Sequence, residues 1–247
     1  MDKLHQYLKD PRNSLAREAL VKNRLFYDVK LHFASKGRSL LAYEAEYDRD
    51  GFDVIFDELG RQRHFQVKSV LKSSSTASFY IHRNLLRPNI DELNYYPLSH
   101  DSFGVGYGGA VILVELEPTD ESLNISYYYV DGLILSAFYA GILSYKSKVS
   151  QQSAVKSFGE FRNPRRLGGQ IKLSKSSFVR LSSAGAIFGL SGFLGADEGN
   201  ARFRVLQAVG RAFGLSQPSF SKVPFESLRD MARADFSKLI DTSKLQC

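Results

Sequence analysis

The 247-residue chain has a single cysteine, Cys247, along with two methionines and seven prolines. One thiol allows no internal disulfide and no cysteine-based zinc site. The composition fits a reducing compartment, and a cytoplasmic location is expected. Long apolar runs are also missing. The strongest, near Leu133–Leu143 and Ala184–Leu194, reach about a dozen residues, whereas a membrane span needs roughly 20. The opening Met1-Asp2-Lys3-Leu4-His5-Gln6 shows no apolar core of a secretory signal. No membrane partner is expected. Fixed-period repeats and low-complexity tracts are absent. With 24% charged and 43% apolar residues, the composition excludes a wholly disordered chain, a collagen and a coiled coil.

Charge is present but unevenly placed. The net is +7. Residues 1–143 carry 16 Lys/Arg and 19 Asp/Glu, a net of −3, while residues 144–247 carry 17 and 7, a net of +10. Between Lys146 and Arg180 there are nine basic residues and one acid, Glu160. A basic half of this kind suits a polyanion partner, or simply a solvated surface. Composition shifts near Leu143, which sets a boundary between residues 1–143 and a basic region 144–247.

Periodicity gives the order of elements. Asp10-Pro11 and Ser14 signal a helix start and Gly37 a stop, with Leu15, Ala19, Phe26, Val29 and Phe33 near helical spacing. Three strand-like runs follow: Leu40–Tyr47, Phe52–Phe56 and His64–Val70. Asp48-Arg49-Asp50-Gly51 and the stretch around Gly60 read as turns. A mixed segment reaches Tyr96. Gly104, Gly106, Gly108 and Gly109 mark a mobile turn, and no Lys-Ser/Thr follows them to make a phosphate loop. Ala110–Leu116 and Asn124–Val130 are strands, with Tyr127-Tyr128-Tyr129 as strand and core. Gly132–Leu143 is a helix, and Asn200–Phe213 and Phe225–Ile240 are amphipathic helices. The expected class is α/β (α+β): a mixed central sheet flanked by helices, with a basic, largely helical C-terminal extension.

The chemistry concentrates in two neighbouring runs, Phe52-Asp53-Val54-Ile55-Phe56 and His64-Phe65-Gln66-Val67-Lys68. Alternation puts Gln66 and Lys68 on one face of their strand, and a hairpin can bring Asp53 beside them. Asp53 is a hard oxygen ligand suited to Mg²⁺, and Gln66 through its amide oxygen, or the Val67 carbonyl, could complete the shell. Lys68 could orient an attacking water and stabilise charge on a phosphate. Glu18, on the first helix, could bind the metal or hold a metal-bound water. These are the parts of metal-assisted hydrolysis. Plainer roles exist for each. Gln66 and Lys68 could be the wet face of a half-buried strand, and Glu18 a helix-start carboxylate. Glu44, Glu46, Asp48 and Asp50 form an acidic cluster nearby, in which Glu46 or Asp50 could replace Glu18 as second ligand. His64 shares the face of Gln66 and could assist. The five histidines show no metal-ligand spacing.

At Glu18, Asp53, Gln66 and Lys68 the chain resembles the PD-(D/E)xK nuclease superfamily, in its Q-x-K variant. The likeness covers roughly residues 14–143. It implies a restriction-endonuclease-like αβββαβ core. It also implies an Mg²⁺-dependent DNA endonuclease, with Mn²⁺ able to substitute, working in homing, restriction and phage defence, or repair. Glu18, Asp53, Gln66 and Lys68 would be catalytic, and Glu18, Asp53 and Gln66 would hold the metal. Two departures stand out: Gln66 replaces the usual second acid, and Phe52 stands where the family often has proline. The first leaves open a catalytically inactive binding or assembly protein on the same scaffold. Cleavage of structured RNA is a further alternative. Arg162, Arg165, Arg166, Lys172, Lys175 and Arg180, interleaved with serines, are expected to face nucleic acid, since Arg, Lys and Ser commonly contact phosphate. Many family members dimerise, and the two C-terminal helices are candidates for a homodimer interface.

Overall fold

The computed structural model describes residues 3–45, 51–96, 105–119, 122–163, 169–193, 201–215 and 223–246. Helix α1 (Lys3–Lys9) leads into a 3-10 turn, Pro11–Asn13, whose cap is Asp10: its carboxylate accepts from the Arg12 amide. Helix α2 (Ser14–Ala34) follows. Its buried stripe is Val21, Leu25, Val29 and Phe33, a strict i+4 series. The expected stripe differed at its start. Leu15 is 80% exposed and Ala19 is also exposed, because burial on this helix begins only at Val21.

Strands β1 (Leu41–Glu44), β2 (Val54–Glu58) and β3 (Arg61–Leu71) form an antiparallel meander. The β2–β3 turn is Leu59-Gly60, with φ of +53° and +82°, and Asp57 Oδ1 accepts from the Gly60 amide. Strand β4 (Ser78–His82) and the short α3 (Arg83–Leu86) lie in the crossover to β5 (Ala110–Pro118), which runs parallel to β3. A hairpin leads to β6 (Leu123–Asp131), and Asp131 caps α4 (Gly132–Tyr139) by accepting from the Ile134 amide.

Next come β7 (Ser144–Tyr145), α5 (Lys148–Arg162), β8 (Gln170–Ser174) and β9 (Val179–Arg180), then α6 (Ala186–Ser191), α7 (Ala201–Ala212), α8 (Phe225–Leu239) and β10 (Leu245–Gln246). The six-stranded sheet is mixed, in the order β1-β2-β3-β5-β6-β9; β4 pairs with β8, and β7 with β10. The fold is therefore mixed α/β, with helices flanking a mixed central sheet. The basic second half supplies β9 to that sheet and β8 to β4.

Directly opposed residues of neighbouring strands share a face. One face carries Val54, Phe56, Phe65, Val67, Ile112, Val114, Tyr127 and Tyr129, all buried. Helix α2 covers it: Phe26 meets Phe56 edge-on at 6.0 Å, and the Tyr127 hydroxyl donates to Asp28 at 2.7 Å. Helix α6 joins through Phe188, which packs on Phe33 at 4.5 Å. The other face carries Gln66, Lys68, Leu113, Glu115, Tyr128 and Arg180.

The glycine-rich stretch is not a mobile turn where it is described. The amides of Gly106, Tyr107, Gly108 and Gly109 donate to the carbonyls of Pro88, Asn84, Arg87 and Leu85. A Cβ at Gly109 would sit 2.5 Å from the His64 carbonyl oxygen, so this glycine is required by close backbone approach. Gly104 lies outside the described residues.

A buried ionic cluster joins the two halves of the sequence. Arg202 of α7 forms a two-bonded pair with Glu92 (Nε–Oε1 and Nη2–Oε2, both 2.8 Å) and donates to Asp131 at 2.6 Å. Arg63 of β3 donates to Glu92 at 2.7 Å, and Tyr129 donates to Asp131 at 2.9 Å. Burial disfavours the Glu92 charge, but Arg202 and Arg63 outweigh it and hold its pKa at about 2. The apolar stripes of the two C-terminal helices face inward, with Val205, Leu206 and Val209 on α7 and Leu228, Ala232 and Phe236 on α8 all buried.

Candidate active site

Asp53 stands immediately before β2, between β1 and β3. Its amide donates to the Phe65 carbonyl at 2.8 Å, and its carbonyl accepts from Ala45 at 3.0 Å. Its Oδ2 accepts from the Val67 amide at 2.7 Å. The side chain thus takes the place of a ladder carbonyl and is fixed against the backbone between Gln66 and Lys68. The β2–β3 register ends at Val54 opposite Phe65, and Asp53 itself is a bend just outside the ladder. The hairpin therefore holds the Asp53 carboxylate against the backbone between Gln66 and Lys68.

Gln66 is only 6% exposed, and its Oε1 is buried with no hydrogen-bond partner. A buried amide oxygen left unsatisfied costs on the order of 1–3 kcal/mol, so the arrangement suits an incoming cation or donor. Lys68 is half-buried. Among the described residues its ammonium has no ion pair or hydrogen bond.

Glu18 is reached differently. It lies on α2 with its side chain about half exposed, bonded to Lys22 at 3.0 Å; the Lys22 ammonium is also 3.6 Å from Glu44. Burial pulls the Lys22 pKa down, yet the Glu18 hydrogen bond and the charges of Glu18, Asp53 and Glu44 raise it overall. Lys22 therefore bonds Glu18, lies near Glu44 and feels the Asp53 charge, and helical spacing alone does not mark it. Glu46, Asp48 and Asp50 lie outside the described residues. Among the described residues no group of three His, Cys, Asp or Glu side chains could hold a metal.

Two histidines flank the site. His64, on the face of Gln66, packs against Phe52 at 4.6 Å and Tyr107 at 5.2 Å between ring centroids. His82, at the end of β4, lies against Gly51: a Cβ added there would meet the His82 Cβ at 2.2 Å. Gly51 also has φ +77°, so both space and backbone favour glycine two residues before Asp53. The His82 Nδ1 is buried without a hydrogen-bond partner. Nothing in the spacing of the sequence marks His82, because its proximity comes through the β4 crossover.

The basic residues are dispersed. Arg162 ends α5, exposed, and Lys172 is exposed on β8. Lys175 pairs with Glu115 at 2.6 Å, and Arg180 with Asp241 at 3.4 Å and Ser126 at 3.1 Å. Burial raises the Glu115 pKa, but Lys175 and the Tyr128 hydroxyl outweigh it, leaving it below its ordinary value. Lys175 and Arg180 line a cleft of about 620 Å³ together with Glu115, Glu117 and Asp241. Their charges are thus largely balanced within the fold. Arg165 and Arg166 lie outside the described residues.

Among the described residues no helix is long and apolar enough to cross a membrane. No family model matches the chain, and no curated protein or solved structure is significantly similar to it.

Proposed function

We propose that the protein is an Mg²⁺-dependent nuclease that hydrolyses DNA phosphodiester bonds, built on a restriction-endonuclease-like core. The observation that carries this reading is the buried Oε1 of Gln66, which has no hydrogen-bond partner among the described residues, beside a Val67 amide that holds Asp53 and with Lys68 two residues along the same face. The order α2, β1, β2, β3, crossover, β5, with β5 parallel to β3, supports the αβββαβ scaffold.

The donor set fits a hard divalent ion. Mg²⁺ commonly takes one or two protein oxygens and completes its shell with waters and substrate phosphate. Asp53 and Gln66 supply one carboxylate and one neutral amide oxygen, while Glu18, paired with Lys22 on α2, would have to leave that ion pair to serve as a further acid. Bound there, Mg²⁺ supplies Lewis-acid stabilisation of the phosphate and a more acidic water. The chain's own groups do the rest. The Val67 amide orients Asp53. Lys68 holds the attacking water by hydrogen bond and offsets charge that develops on the phosphate oxygens. The exposed lysines and arginines of the second half hold the backbone, which gives salt-dependent affinity with little sequence information. Sequence preference, homodimerisation, biological setting and a cytoplasmic location belong to the same proposal.

A second reading has its own observation. With Gln66 in place of an acid and no three-acid cluster among the described residues, the chain could bind nucleic acid without cutting it. Incubation of supercoiled plasmid with Mg²⁺ or Mn²⁺ separates the two. Nicking that is lost in EDTA and in Lys68→Ala supports the nuclease. Salt-sensitive binding with no nicking, on plasmid and on genomic DNA alike, supports the binding protein. Structured RNA in parallel tests the alternative substrate.

A further inference from the structure

Strands β4 and β8 form a two-stranded ribbon with strictly alternating faces. Phe79, Ile81, Ile171 and Leu173 are buried. The opposite face presents three cross-strand pairs, Ser78/Ser174, Tyr80/Lys172 and His82/Gln170. Tyr80 is 60% exposed, and the Lys172 ammonium lies 6.0 Å from its ring centroid. Helix α5 adds Ser153, Lys156 and Glu160 along one side, making a shallow groove of about 500 Å³. Tyr80 is one of several exposed large hydrophobic side chains, and what sets it apart is the Lys172 ammonium and the serine hydroxyls around it.

The direction of the ribbon gives this face a meaning. Its His82 end lies against Gly51, two residues before Asp53. A strand rises about 3.3 Å per residue, so along β4 Tyr80 sits about 7 Å from His82 and Ser78 about 13 Å. The first of these steps is about the distance between neighbouring bases in an extended single strand. Paired bases are stacked inside a duplex and cannot reach a side chain on a flat ribbon, whereas an unpaired base can lie on an aromatic ring.

We propose that the outer face of the β4–β8 ribbon is a binding track for an unpaired nucleic-acid strand, with Tyr80 stacking on the base next to the reacting nucleotide and Lys172 and Lys156 contacting its phosphates. This rests on the nuclease reading for the position of the reacting nucleotide. The track itself is a binding site and is tested without cleavage. It narrows the substrate to single strands, or to duplexes with a gap, flap or flipped base at the site.

The test is fluorescence anisotropy in EDTA. The probes are a single-stranded 20-mer, as DNA and as RNA, and the blunt DNA duplex of the same sequence. Wild type is expected to bind at least one single strand about tenfold more tightly than the duplex. Tyr80→Ala should weaken that binding about tenfold, in the range found for base–aromatic stacking, and Tyr80→Phe should restore it. Lys172→Ala should reduce the salt dependence by about one phosphate contact. Tyr80 is exposed, so far-UV circular dichroism of each variant should match wild type. Duplex bound as tightly as single strand, or an unchanged affinity in Tyr80→Ala, overturns the proposal. So does the absence of binding to any probe, which would leave the ribbon to a protein partner. Single-strand binding through Tyr80 without metal-dependent nicking would remove the nuclease reading and leave the track. Nicking unaffected by Tyr80→Ala, with unchanged affinity, would do the reverse.

Discussion

The Glu92 carboxylate should make the fold acid-labile in a way that one substitution removes. Its side chain is 9% exposed and held by Arg202 and Arg63. These partners lower its pKa from an ordinary 4.5 to about 2. A depressed carboxylate pKa stabilises the fold above the unfolded value, and the benefit is lost as pH falls from about 4.5 towards 2. That interval is worth about 3 kcal/mol, a sizeable share of the 5–15 kcal/mol typical of a whole domain. Glu92→Gln keeps the shape of the side chain and removes the titration. Urea unfolding followed by far-UV circular dichroism at pH 7, 5, 4 and 3 measures both proteins. The advantage of wild type over the variant should be full at pH 7 and 5, and should shrink by pH 3. Carboxylates that share no partner with Glu92 cancel in the difference, which leaves Asp131, bonded to the same Arg202, as the coupled neighbour. A difference independent of pH would refute the assignment of a charged, two-arginine Glu92.

Gln66→Glu should lower the Mg²⁺ concentration needed for half-maximal nicking. Without metal it should lower the melting temperature, since it buries a carboxylate where no cation stands; titration of Mg²⁺ in both assays checks this. Lys175→Ala should cost about 1 kcal/mol by leaving Glu115 with only the Tyr128 hydroxyl, whereas Arg162→Ala at an exposed helix end should cost less than about 0.5 kcal/mol; thermal unfolding separates them by a few degrees. Gly109→Ala should destabilise by about 2 kcal/mol, because its Cβ would press on the His64 carbonyl at 2.5 Å. The same press on β3, two residues before Gln66, should reduce nicking beyond what the lost stability accounts for.

Elements with a long period were readable from the sequence. Helix α2, the β1–β3 meander, β5, β6 and α4 each repeat their pattern over several turns or pairs. Strands β4 and β8 were not, because each offers only two buried residues and their partnership spans some ninety positions of chain. The same reason hid His82 and Tyr80. The proximity of Asp53, Gln66 and Lys68 was legible, since a short hairpin and period-two alternation suffice to bring them together. Arg202 was not, because on an amphipathic helix a buried arginine has the same spacing as a solvated one. Leu15 and Ala19 misled for the opposite reason: helical spacing shows a stripe but not where along the helix the sheet begins.

The link from Arg202 to Glu92 and Asp131 also bears on the order of synthesis. Strand β6 receives its outer neighbour only when Val179 and Arg180 exist, and two interior carboxylates receive their shared counter-charge later still. Before these residues exist, the β6 edge lacks its outer neighbour, Asp131 lacks Arg202, and Glu92 has Arg63 as its counter-charge. The late basic half therefore completes an interior that the acidic half, made before it, leaves unfinished.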